Sequence, residues 1–142
     1  MTRYYVIKWR ENQQSTYLYG SQLIWQKEAV HVTNQLMPSG LSFHEWQSRT
    51  NYQRDRREPE LPLLRPGKTY QLELVSDLLV GSLPYLQIIC YDRWEQELVK
   101  ITIKEGRGDF VYPTETYDYH IRLINAGCQS FRFHQLVLRE VD

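Results

Sequence analysis

The sequence predicts an all-β chain folded as a two-sheet antiparallel sandwich. Three observations carry this. Apolar and polar residues alternate with a period of two in several runs, the signature of strands with one dry and one wet face. Gly, Pro and Asn clusters separate the runs. No segment shows an amphipathic helical stripe, including Glu45 to Glu58, where a short turn of helix is the most that the pattern supports. The 142 residues read as a single domain, 1–142, with a long polar loop at about 47–60, and can bury a core without disulfides.

Tyr4 to Trp9 reads as the first strand. From Leu36 the chain is apolar, turns at Pro38-Ser39-Gly40 and rises through Leu41 and Phe43 to Trp46. Strict alternation then places Leu41 and Phe43 on one strand face, with His44 and Trp46 on the other beside the polar insert. After the insert, Arg65-Pro66-Gly67-Lys68 has Pro and Gly at the central positions that a type II turn favours. Tyr70, Leu72 and Leu74 alternate with Gln71 and Glu73. Tyr85 to Tyr91 is apolar on both phases and reads as a central strand. Val99, Ile101 and Ile103 alternate with Lys100, Thr102 and Lys104. Glu105-Gly106-Arg107-Gly108-Asp109 reads as a turn. Tyr117, Tyr119, Ile121 and Leu123 alternate with Asp118, His120 and Arg122. Asn125-Ala126-Gly127 is another turn. Phe131 to Leu138 is the last strand, and its alternation changes phase near Gln135, which predicts a bulge. About eight strands result. A jelly-roll connection is the first expectation, although periodicity alone does not separate it from an immunoglobulin-like one.

The formal net charge is zero, which argues against a broad nucleic-acid or membrane footprint. No apolar run is long enough to span a bilayer, and none follows the start as in a signal peptide. Cys90 and Cys128 read as buried free thiols in a reducing compartment. These features favour the cytosol.

A search for chemistry finds no catalytic constellation. His31, His44, His120 and His134 lack metal-ligand spacing and read as solvent-facing strand residues. Asp77, Asp92, Asp109 and Asp118 do not form the dense acidic loop of a calcium site. There is no nucleophile elbow and no phosphate-cradling glycine loop. No metal and no cofactor is expected. An enzyme of the small metal-binding jelly-roll sort would need histidines and carboxylates to converge in space.

The binding candidates cluster in and around the insert. Arg49, Arg54, Arg56 and Arg57 stand among Asp55, Glu58 and Glu60, with Tyr52 inside the run and Pro59 and Pro62 stiffening its end. Trp46 at its start is the tryptophan best placed for exposure, and Trp94 follows Asp92-Arg93 at an expected turn. Two readings compete. Local acid–base pairs make a solvated loop. Arginine forks with rigid aromatics make an interface. The contact surface expected on the second reading comprises Trp46, Tyr52, Arg54, Arg56, Arg57 and Trp94.

The second half, from the PGKTYQLEL strand through Phe110-Val111-Tyr112-Pro113 to the final Leu-Val-Leu-Arg-Glu, looks like a carbohydrate-binding-module type of jelly roll. Nearly the whole chain resembles one family more closely. LMPSG (Leu36 to Gly40) is followed by W-x-S-x-x-N-Y-Q-x-x-R, which supplies Trp46, Ser48, Asn51, Tyr52, Gln53 and Arg56. Pro59, Leu61 to Leu64 and Pro66 to Tyr70 continue the likeness. Asn125-Ala126-Gly127, Phe131 and Phe133 complete it. These residues resemble the smallest, third accessory secretory protein of the accessory Sec system of Gram-positive bacteria.

The resemblance implies a non-enzymatic cytosolic subunit, peripheral at the membrane through its complex. Its implied partners are two larger accessory secretory proteins, a SecA-type motor and a glycosylated serine-rich-repeat adhesin substrate. It implies no nucleic acid. Function would be assembly of the export complex, with contact to the glycosylated substrate. The rival within the same fold is a stand-alone glycan-binding lectin, which would need an exposed aromatic platform.

Overall fold

A computed structural model describes residues 4–9, 22–33, 40–48 and 61–141. Ten strands are present among them: β1 (Tyr4–Ile7), β2 (Gln22–Trp25), β3 (Val30–Thr33), β4 (Ser42–Gln47), β5 (Thr69–Gly81), β6 (Tyr85–Tyr91), β7 (Glu97–Ile103), β8 (Arg107–Val111), β9 (Asp118–Ile124) and β10 (Cys128–Val141). All pairings are antiparallel. A larger sheet has the order β2-β3-β10-β5-β8, with β1 also on β10. A smaller sheet has the order β4-β9-β6-β7. The described residues form a two-sheet sandwich, as the alternation predicts.

The core lies between the sheets. Tyr70, Leu72 and Leu74 of β5 face Ile88 and Cys90 of β6 and Tyr119, Ile121 and Leu123 of β9 within one buried cluster. The expected phase change in β10 is present. Its register against β5 shifts between Phe133 and Gln135, so that Phe131, Phe133, Leu136 and Leu138 all reach the core. The Pro66-Gly67 turn also forms as expected. Gly67 has φ +78°, and the Lys68 N–H donates to Arg65 O at 3.3 Å, the geometry of a type II turn.

Two expectations need correction. The turn placed over Glu105 to Asp109 ends at Gly106, because Arg107–Val111 is β8 and pairs with β5. Gly108 reads as a turn residue, yet it sits opposite Leu72. A Cβ there would lie 3.0 Å from the Ile103 side chain, so the glycine serves close packing. Tyr117 belongs to no strand and is exposed, since β9 begins one residue later. Cys90 and Cys128 are buried free cysteines in different sheets, and burial pushes the Cys90 thiol up to about 11.

The β5–β6 and β9–β10 connections both cross between the sheets, and they touch. The Ser82 N–H donates to Gly127 O at 3.3 Å. Gly81, at φ +97°, leaves so little room that a Cβ would approach Gly127 O to 2.6 Å and Gln129 N to 2.8 Å.

Candidate functional site

Trp46 is fully buried, which corrects its expected exposure. The register of β4 against β9 shifts between Ser42 and His44. This irregularity resets the alternation, so Phe43 faces the core before it and His44 and Trp46 face the core after it. Trp46 stacks on Phe133 at 5.8 Å and meets His44 edge-on at 4.5 Å. Its Nε1–H donates to Lys8 O at 3.0 Å. His44 is buried for the same reason, stacked on Trp9 at 5.3 Å, and so does not face solvent as expected. His31 and His134 are less buried, on Ser130 Oγ and Asp77 Oδ2 respectively.

Tyr52, Arg54, Arg56 and Arg57 lie outside the described residues. The two points where the insert joins the sandwich are described, and one residue holds both. The Ser48 N–H donates to Tyr119 O at 3.0 Å. The Tyr119 N–H donates to Ser48 Oγ at 2.9 Å, and the Tyr119 hydroxyl donates to Pro62 O. Ser48 Oγ donates in turn to Asp118 Oδ1 at 2.6 Å. Leu61 and Leu64 are buried beside these bonds, and the Arg65 N–H donates to the Tyr70 hydroxyl at 2.8 Å. The return segment therefore closes this end of the core over an aromatic floor of Tyr70, Tyr112 and Tyr119.

Trp94 is 74% exposed at the tip of the β6–β7 hairpin. Asp92 builds the tip by accepting the Trp94 and Gln96 N–H groups on Oδ1 at 2.8 and 3.0 Å, and Glu95 takes φ +62°. The Arg93 guanidinium lies over the indole at 5.9 Å. Tyr91 pairs with Asp118, and the Tyr117 N–H donates to Tyr91 O at 2.8 Å. Strand order thus brings the insert root and the Trp94 hairpin to the same end of the smaller sheet.

The outer face of that sheet carries a polar network. Glu45 accepts from Arg122 Nε and from Gln47 Nε2. His120 lies between two carboxylates, with Nε2 3.1 Å from Asp118 Oδ2 and Nδ1 3.2 Å from Glu45 Oε1. The second contact is an ion pair outside good hydrogen-bond geometry. Burial alone would raise the Glu45 pKa, but its basic and amide neighbours overcome this and hold it at about 2. Burial would likewise lower His120, but Asp118 and Glu45 raise it to about 9. The alternation showed Asp118, His120 and Arg122 on one wet face. It could not show that Glu45 joins them, because that needs the β4–β9 pairing.

The signs of these shifts set a pH window. The Glu45 contribution is present above its ordinary value of 4.5 and is lost as pH falls toward about 2. The His120 contribution is complete below its ordinary value of 6.5 and is lost as pH rises through about 9. Melting temperatures should therefore fall on the alkaline side between those two His120 values. His120→Gln should flatten that limb. An unchanged limb in the variant would place the alkaline loss elsewhere.

Among the described residues no three His, Cys, Asp or Glu side chains converge as a metal set, and no helix is long and apolar enough to cross a membrane.

A family model described as accessory Sec secretory system ASP3 matches residues 16–140. The chain belongs to this family. The accessory Sec system protein ASP3 of Streptococcus gordonii is 39% identical over 127 residues, covering 89% of this chain and 80% of its own length. The protein of that name from Staphylococcus aureus is 33% identical over 135 residues, covering 95% and 42%. Among solved structures, the Glycosylation Associate Protein (Gap123) complex from Streptococcus agalactiae contains a chain that superposes with a TM-score of 0.90 at 38% identity. That match covers 98% of this chain and 45% of the other. The crystal structure of accessory secretory protein 1, 2 and 3 in Streptococcus pneumoniae gives a TM-score of 0.89 at 34% identity, covering 96% of each chain. This chain therefore spans less than half the length of the Staphylococcus aureus and Streptococcus agalactiae matches.

The protein is an accessory Sec subunit. Several residues that carry its family likeness have structural posts here. Trp46 fills the core, Ser48 anchors the insert, Gly67 makes the turn, and Tyr70 caps the return segment. Asn125 Oδ1 accepts the Gly127 and Cys128 N–H groups at 3.1 Å each.

Proposed function

We propose that this accessory Sec subunit is non-catalytic and acts by assembly, docking two larger accessory secretory proteins through the insert and the Trp94 hairpin. The observation that carries the reading is the double attachment of the insert by Tyr119, which fixes both roots at the end where Trp94 is exposed. Tyr52, Arg54, Arg56 and Arg57 supply the rigid aromatic and the guanidinium forks that form interface hot spots. One solved relative is a structure of accessory secretory proteins 1, 2 and 3 from Streptococcus pneumoniae, which supports two larger partners. On this reading residues 1–142 work as one domain in the cytoplasm, peripheral at the membrane through the complex. With a SecA-type motor, the complex exports glycosylated serine-rich-repeat adhesins and touches their glycans. A stand-alone glycan-binding module is the second reading, favoured by the open indole of Trp94.

The test is assembly of the full chain with the larger accessory proteins that co-purify from its host. Tyr52→Ala with Arg56→Ala should weaken that assembly by about 2 kcal/mol or more, roughly thirtyfold. Its melting temperature should stay near wild type, and adhesin export should fall in parallel. Lys100→Ala on the sheet face should do neither. Normal assembly of the double variant would move the docking surface elsewhere. Tight binding of an N-acetylglucosamine-type glycan by the chain alone would favour the second reading.

A further inference from the structure

β4 ends at Gln47, opposite His120. Continued by one residue, the ladder would make Ser48 and Tyr119 a pair that exchanges two backbone hydrogen bonds. One of these forms, from the Ser48 N–H to Tyr119 O at 3.0 Å. In place of the other, the Tyr119 N–H takes the Ser48 hydroxyl at 2.9 Å. A side-chain oxygen thus stands in the ladder position of the Ser48 carbonyl, at the last described residue before the insert.

A serine hydroxyl has one proton and can donate or accept. It accepts from Tyr119 only while that proton points elsewhere. Asp118 Oδ1, 2.6 Å away, takes it. The other carboxylate oxygen, Oδ2, lies 3.1 Å from His120 Nε2. The far side of the same ring faces Glu45, which Arg122 and Gln47 hold in place, and Tyr91 of β6 packs against the ring at 5.0 Å. Ser48 is only 4% exposed, so solvent is a poor substitute for Asp118. The β4–β9 ladder pairs from His44 to Gln47 through its backbone. What these side chains add is control of the step after it.

We propose that Asp118 and His120 are positioning residues for the insert. Acting through the Ser48 hydroxyl, they set the direction in which the chain leaves β4, and so the presentation of Tyr52 and Arg56, without touching a partner. The consequence for assembly rests on the docking reading above; the direction of the insert does not.

The test uses the full chain with spin labels on Asp55→Cys in the insert and Lys100→Cys on β7. Cys90 and Cys128 are buried and are spared by the label. Pulsed dipolar measurements give the distances between the labels. Asp118→Ala and His120→Ala should each shift or broaden that distribution. His120→Gln returns an N–H donor near the position of Nε2 and should restore it. Without labels, Asp118→Ala should weaken assembly with the larger accessory proteins about two- to tenfold, the equivalent of one hydrogen bond. Ser48→Ala and Asp118→Ala together should cost less than the sum of their separate effects, because they break the same line of bonds. Leu86→Val, a core change toward the other end of β6, should lower the melting temperature and move neither distances nor assembly.

Unchanged distances in both alanine variants overturn the proposal. So does a His120→Gln variant no better than His120→Ala, since ring packing rather than the N–H would then matter. An equal shift in Leu86→Val overturns it too, because general loosening would explain the result. Shifted distances alongside normal assembly of the Tyr52→Ala, Arg56→Ala double variant uphold the proposal and overturn the docking reading instead.

Discussion

Trp46→Ala is expected to destabilise the fold by about 3–5 kcal/mol, the range for removing a large aromatic from a packed core. The indole is fully buried, stacks on Phe133 and touches His44. Its loss also removes the bond to Lys8 O that ties the segment after β1 to β4. Trp46→Phe should recover part of the packing but not that bond. Thermal denaturation decides the matter, since a loss of this size lowers the melting temperature by on the order of 10 °C in a chain of this length. A near-wild-type melt of the alanine variant would contradict the burial of Trp46 and restore it as a surface candidate.

Tyr119→Ala is expected to cost a similar amount, about 3–5 kcal/mol, because the ring lies in the aromatic floor against Tyr112. Tyr119→Phe separates packing from anchoring. It keeps the ring and removes only the hydroxyl that donates to Pro62 O. The stability cost should drop to about 0.5–1.5 kcal/mol, the net worth of one hydrogen bond to a partly buried acceptor. Its effect on assembly should be larger than that modest cost suggests, because the return root of the insert loses its tie. Paired melts and binding measurements on the two variants read this directly. If Tyr119→Phe binds partners as wild type does, positioning of the insert does not depend on this hydroxyl.

Much of the sandwich was legible because a half-buried strand writes its faces into alternate residues. β5 as far as Leu74, β7 and β9 follow that rule, and the β10 bulge was visible because the apolar phase changes within one continuous run. β4 misled because its irregularity falls early, at Ser42 to His44, with too few residues before it to establish a phase. Trp46 then counts as outward although it lies in the core. β8 was hidden by Arg107 and Gly108, whose local preference for a turn is overridden by pairing with β5 and by close contact with Ile103. The insert was legible as a candidate site from its length, arginines and aromatics. Its attachment was not, because Tyr119 is seventy-one residues from Ser48 and fifty-seven from Pro62, and periodicity carries no information about such partners.

The contact between Gly81 and Gly127 has a mechanical consequence. Each glycine sits where the chain passes from one sheet to the other, and the two crossings touch so closely that Gly81 has no space for a side chain against Gly127 O. Sliding one sheet along the other would have to drag both crossings together. The sandwich therefore resists shear at this end, and a load applied to either connection passes to both sheets at once.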